Sequence, residues 1–250
     1  MLCLHWLTSA SNHPLSSYSP TTTPKSEYLL PLTQLRRLGF LRWRLMAMAI
    51  TLVVVPVFFQ APLVRSLPWL SLSLTGAWLM AGLSLMARPA TYLWGDLLVG
   101  FSWTWLAGSI YWGWFRWEPL VHLPIEAIGL PVVGICLALG WGSIGSYFYL
   151  GSLLGTAITD LYLYWNDLIP YWRQLMAVDQ SFVPAVLQEA VAHLCTGPAL
   201  LSAIELIFCL LLLTVGPLLY SRRLHWWTFS GAVLSTLLVD GLFFLTALAA

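Results

Sequence analysis

Five carboxylic side chains fall inside apolar runs of this sequence: Asp96, Glu126, Asp160, Glu205 and Asp240. No Lys or Arg lies at similar depth in those runs. A charged group at the centre of a membrane span costs roughly 2.5–3.5 kcal/mol. A short carboxylate cannot reach back to the surface as Lys and Arg do. Five such costs approach the whole stability of a folded domain, about 5–15 kcal/mol, so these acids need partners or a use. The use that suits charge of one sign is binding a cation, a proton or the cationic group of a solute. A carboxyl held protonated is another state of the same chemistry. The structural alternative is that each acid is satisfied by Ser, Thr or Trp donors, or by Arg116 or Arg173 at the membrane surface.

Two His/Glu pairs have helical spacing. Glu189 and His193 are four apart on a segment with helical pattern, which would put two metal ligands on one face. A solvated helix face explains the same spacing. His122 and Glu126 share it, but Pro124 intervenes. If Pro124 begins a helix, the two do not stack, and Glu126 becomes an acid favoured by the helix dipole. His122, Glu189 and His193 are therefore the weak metal candidates. Asp96 is an ion-binding candidate that stands apart, near the opposite membrane face, with Arg88 as its expected partner.

The elements that must position these residues follow from composition. Of 250 residues, 59% are hydrophobic and 8% charged, against about 25% charged in an ordinary soluble domain. Such a chain cannot cover a water-facing surface. The fold class is all-α, a polytopic transmembrane helical bundle. Seven runs satisfy the requirement of about 20 apolar residues: 45–64, 67–87, 92–113, 120–139, 144–164, 200–220 and 227–249. The weakest divisions are at 64–67 and 139–144; six spans are the alternative. Pro56, Pro131 and Pro217 lie inside runs and are expected to kink them.

Loop charge orients the bundle. With the N-terminus cytoplasmic, Lys25, Arg36, Arg37, Arg42, Arg44, Arg88, Arg222 and Arg223 lie inside, and Arg65, Arg116 and Arg173 outside. This is the asymmetry of the positive-inside rule. In this threading Glu126, Asp160, Glu205 and Asp240 lie toward the outer side, with His122 and His193 near the same surface. The expectation is an outward-facing acidic cavity.

Residues 1–44 differ in composition: a Ser/Thr/Pro-rich leader, read as disordered, ends in a basic juxtamembrane cluster. A transit peptide and an overextended gene start are the alternatives. The transmembrane domain is 45–250, and its long outer loop, 165–198, reads as two short interfacial helices begun by Pro170 and Pro184. Ser181 is the expected N-cap and Gly197 the expected C-cap of the second, with Gln188, Glu189 and His193 on its polar face. Trp112, Trp114 and Trp117 collect where a span leaves the membrane. Gly151 and Gly155 form GxxxG, which serves internal packing or a homodimer equally well.

Several functions are excluded or unsupported. A net charge of +1 leaves no basic footprint for nucleic acid. Cys3, Cys136, Cys195 and Cys209 form no CxxC pair. There is no GxSxG, HExxH, Walker loop or GxGxxG. No cofactor is implied, and an enzyme is the weakest reading. The lipid bilayer is the implied partner, with further membrane-protein partners left open. The stretch FSWTWLAGSIYWGWFRWEPLVHLPIEAIGLP, Phe101 to Pro131, resembles a family of cyanobacterial multi-pass membrane proteins known only as a domain of unknown function. The resemblance spans about residues 40–250 and implies a plasma or thylakoid membrane, with no catalytic residue to carry over. A small transporter or permease-type protein is the leading expectation; an accessory or assembly subunit of a larger, photosynthetic complex is the alternative.

Overall fold

The structure, a computed structural model, describes residues 32–249. Helices α1 (Leu32–Ser66), α2 (Pro68–Met86) and α3 (Tyr92–Ile110) are followed by a π-helical turn at Tyr111–Phe115. A broken pass comes next: a 3-10 turn at Pro119–Val121, α4 (His122–Glu126), a second 3-10 turn at Ala127–Gly129, and α5 (Leu130–Ala138). Helix α6 (Ser143–Trp165), the short α7 (Ile169–Ala177) and α8 (Val183–Leu194), then α9 (Gly197–Tyr220) and α10 (Leu224–Ala249) complete the chain. No strand occurs among the described residues.

The long segments run back and forth through one bundle. Gly82 of α2 packs beside Gly95 of α3, and Gly113 beyond α3 returns to Pro68 of α2, so α2 and α3 are antiparallel. Gly231 near the start of α10 meets Met46 in the N-terminal half of α1, so those two run the same way. One end of the bundle gathers Arg44, Arg88 and Arg223; the other carries the 165–196 loop and the π turn. By length and composition, five stretches qualify as membrane spans among the described residues: Arg36–Ser66, Pro68–Met86, Pro119–Ala138, Gly197–Tyr220 and Leu224–Ala249. Helices α3 and α6 are as long but trade aliphatic side chains for Gly, Ser, Trp and Tyr, because they form the inside of the bundle.

Both weak divisions are real breaks. Pro68 begins α2 directly after Leu67. Between α5 and α6 the chain turns through Gly140 and Gly142, with φ of +67° and +64°, a region that costs a side-chain-bearing residue but not glycine. Other boundaries differ from expectation. Helix α1 starts at Leu32 rather than 45, since Leu and Arg extend a helix beyond its apolar stretch; residues 1–31 of the expected leader lie outside the described residues. Pro131 begins α5 and does not kink it. Pro170 and Pro184 do begin α7 and α8. Ser181, however, lies in a 3-10 turn rather than capping α8, and Gly197 opens α9.

Asp96 is the clasp of the core. Its two carboxylate oxygens accept the backbone N–H groups of Ile144 and Gly145, each at 2.9 Å. These are unpaired donors of the first turn of α6, whose N-cap Gly142 has no side chain to serve them. A carboxylate there also complements the helix dipole. Arg88 is therefore not its partner: the backbone donors are nearer and already desolvated. The contact needs glycine on both helices, because a Cβ on Gly145 would run into the Asp96 carbonyl and one on Gly100 into Gly145. GxxxG works internally: Gly151 and Gly155 lie against Phe229 and Thr236 of α10.

A second polar seam ties α1, α2 and α3. Gln60 donates to the Trp105 carbonyl at 2.7 Å and to Ser109 at 3.0 Å. Ser109 and Ser71 share a hydrogen bond of 2.8 Å, and Trp105 Nε1 donates to the Ser71 carbonyl at 2.8 Å. Buried polar groups that satisfy each other fix register where lipid supplies no hydrophobic drive between helices.

Replacing Gly145 with Ala is expected to lower the thermal midpoint of the detergent-solubilised protein by the equivalent of about 1–3 kcal/mol. Gly134→Ala, with open space around it, is expected to be neutral or stabilising. Equal midpoints for the two variants would show that α3 and α6 do not approach this closely.

Candidate functional site

At the end of the bundle opposite Asp96, the structure brings together residues from four segments. The Glu118 carboxylate accepts the Leu120 N–H at 3.2 Å and caps the turn that leads into α4. Within α4, Pro124 does not separate His122 from Glu126. The helix begins at His122 itself, so the two stack one turn apart, with Nε2 3.8 Å from Glu126 Oε1. On the other side of the ring, His122 Nδ1 lies 3.0 Å from Asp160 Oδ1 of α6. The imidazole thus stands between two carboxyl groups from different helices.

Asp240 enters from α10 through Thr159, the neighbour of Asp160: Thr159 Oγ1 donates to Asp240 Oδ2 at 2.7 Å. Asp160 is 2% exposed, and its Oδ2 is buried without a hydrogen-bond partner among the described residues. The His122 side chain retains 22% of its exposure and is the more open end of the pair.

Three devices hold this geometry. The break between α4 and α5 is pinned by Tyr149 of α6, whose hydroxyl donates to the Glu126 carbonyl at 2.6 Å and accepts the Gly129 N–H at 3.0 Å. The π turn packs Tyr111, 1% exposed, against the His122 ring at a centroid distance of 4.2 Å; π turns within helices recur at functional sites. Outside, Arg173 of α7 donates to both Glu118 oxygens at 2.9 and 2.8 Å, while Trp172 Nε1 donates to the Arg116 carbonyl at 2.7 Å. The Arg173 hydrogen bond holds the Glu118 carboxyl below its usual range. This clasp is complete at neutral pH and is lost only as pH falls through that lowered value.

Of the four acids expected to converge, Glu126, Asp160 and Asp240 come together and Glu205 does not. Glu205 is exposed on α9 beside Leu201, Ile204 and Phe208; its helical phase turns it away from α6 and α10. Asp96 is a structural cap at the far end. The metal candidates do not assemble either. Glu189 is exposed. His193 turns inward rather than to the polar face, and its Nε2 lies 2.9 Å from the Asn166 carbonyl. Among the described residues no three His, Cys, Asp or Glu side chains are arranged to hold a metal ion.

Of two cavities, of about 460 and 120 Å³, the smaller is lined in part by Asp96 and neither by Glu126, Asp160 or Asp240, which pack together at the end of the bundle that carries the 165–196 loop. Tyr111, Tyr149 and Thr159 were not legible as site residues. Each is an ordinary member of an apolar or aromatic run, and only the helix contacts give it a role.

Chemically, two carboxyls, Glu126 and Asp160, share one imidazole, and Asp240 joins the cluster through Thr159. Even with the imidazole charged, the cluster carries excess negative charge unless acids hold protons. An imidazole between two carboxyls can accept a proton at one nitrogen and release one from the other.

The profile of a family described as "Protein of unknown function (DUF3120)" matches residues 49–248. No curated protein and no solved structure matches the chain.

A double-mutant cycle of Thr159→Val with Asp240→Asn, read by thermal unfolding in detergent, is expected to give a coupling energy above about 0.5 kcal/mol. Additive effects would show that the two side chains do not interact.

Proposed function

The chain belongs to the DUF3120 family, whose description assigns no activity, and we propose that it is a small transporter or permease-type membrane protein with a proton-handling centre at Glu126, His122 and Asp160. In this reading all seven long passes cross the bilayer, the arginine-rich end is cytoplasmic, and the acid–imidazole cluster faces the outer side. The observation that carries it is His122 held between Asp160 at 3.0 Å and Glu126 at 3.8 Å within a membrane-spanning segment. Ionisable groups at such depth face the bundle interior and mark ion or proton pathways. A discontinuous helix beside them, as at Ala127–Gly129, is a recurrent feature of transporter sites. Protonation of Asp160 or Glu126 would alter the hold of α4 on α6, and so couple the proton to the position of the broken pass.

The test is reconstitution of the purified protein into liposomes loaded with a pH-reporting dye. An imposed proton gradient is expected to dissipate faster than in empty liposomes, and Asp160→Asn or His122→Gln is expected to remove at least about nine-tenths of that excess rate, in line with the 10²–10⁴-fold contribution of a positioned proton-transfer group. Glu205→Gln should leave it unchanged. Rates equal to those of empty liposomes under both proton and sodium gradients would count against transport.

A second reading, an accessory subunit of a larger membrane complex, is favoured by Glu205. A carboxyl on an exposed apolar face of a spanning helix gains from a partner helix carrying a donor or cation. Mild-detergent extraction followed by mass spectrometry is expected, on this reading, to recover a stoichiometric membrane partner that Glu205→Leu releases. Recovery of the chain alone would dismiss it.

A further inference from the structure

The larger cavity lies at the opposite end of the bundle from the acid cluster. It is a groove of about 460 Å³ lined by Arg44, Ala47, Met48 and Thr51 of α1 and by Trp94 of α3. The four α1 residues follow helical spacing, so they form one stripe running from the charged start of α1 into its apolar body. From Arg44 to Thr51 the stripe descends about 10 Å at 1.5 Å per residue, the scale that separates a lipid headgroup from the upper part of its acyl chain.

The rim is cationic and held in place. The Arg44 guanidinium sits 5.5 Å from the Phe40 ring centroid and 5.3 Å from that of Trp94, which fixes it beside the groove without neutralising it. No ion pair involves Arg44 among the described residues. Asp96, the acid of α3 near this end, is already committed to Ile144 and Gly145. Thr51 spends its hydroxyl on the Ala47 carbonyl at 2.9 Å, so the floor presents methyl and thioether surface. A positive rim above an apolar floor matches an amphiphile with an anionic head and a hydrocarbon tail.

We propose that this groove is a binding site for a phospholipid with an anionic headgroup, its phosphate at Arg44 and one acyl chain along Ala47, Met48 and Thr51 against Trp94. The site is independent of the proton-handling centre. It would anchor α1 to α3 at the end where α1 emerges from the bundle.

The experiment uses the full chain in an uncharged detergent. It compares phosphatidylglycerol with phosphatidylcholine of identical brominated acyl chains, and with free glycerol phosphate as the headgroup alone. Native mass spectrometry reports bound lipid, and bromine quenching reports the tail. Phosphatidylglycerol is expected to be retained and to quench a fluorescence component that Trp94→Phe removes. Phosphatidylcholine and glycerol phosphate are expected to bind weakly. Arg44→Gln should weaken phosphatidylglycerol binding about fivefold, the scale of one surface cation on an anionic lipid, and Arg44→Lys should retain most of it. Equal retention of the two lipids, equal binding of glycerol phosphate, or quenching unaffected by Trp94→Phe would overturn the proposal. The lipid comparison and the quenching use protein with Arg44 intact, so they decide between the outcomes even where an Arg44 variant fails to fold.

Discussion

A carboxylate on one helix holds the first turn of another, and the bundle is assembled around that contact. Asp96 meets the N–H groups of Ile144 and Gly145, which in lipid have no water to fall back on. The arrangement sets α3 and α6 side by side and running the same way, with glycines at the crossing. Helix α10 then lies along α6 through Gly151 and Gly155, and α1 lies on α10 through Gly231. The far end of α6 carries Asp160, so the clasp at one end of the bundle sets the depth and direction from which the acid cluster is built at the other.

The same side-chain type thus has two different uses in one helix pair. Asp96 has both oxygens paired with desolvated backbone donors, which offsets the cost of burying it. Asp160 has one oxygen on His122 and the other without a partner among the described residues. A buried carboxyl left half-satisfied retains acceptor capacity for another donor. Satisfaction of hydrogen bonds, rather than burial, separates the structural acid from the functional candidate.

The two ends also differ in backbone. Around Asp96 the helices are regular and packed close through glycine. Around His122 the chain uses a π turn, a five-residue helix and two 3-10 turns, held by Tyr149, Trp172 and the Glu118–Arg173 pair. Irregular backbone within a membrane is tolerated where protein covers it, and here tyrosine and tryptophan donors supply that cover.

Composition and local spacing were enough to establish an all-α membrane bundle, the bounds of most of its long helices, though not the early start of α1 or the break between α4 and α5, the two proline-started helices of the 165–198 loop, and the acids as residues needing explanation. These depend on hydropathy, helical period and the cost of burying charge, which are local properties. Partners were another matter. Arg88 is near Asp96 in sequence, yet the clasp goes to Ile144 and Gly145, and His122 finds Asp160 on a different helix as well as Glu126 on its own. Glu205 shares the depth of the acid cluster but not its side of the helix. A sequence carries depth along each helix and the period of its faces; which face meets which neighbour depends on how all the helices pack at once, and hydrogen bonding between distant segments is fixed only there.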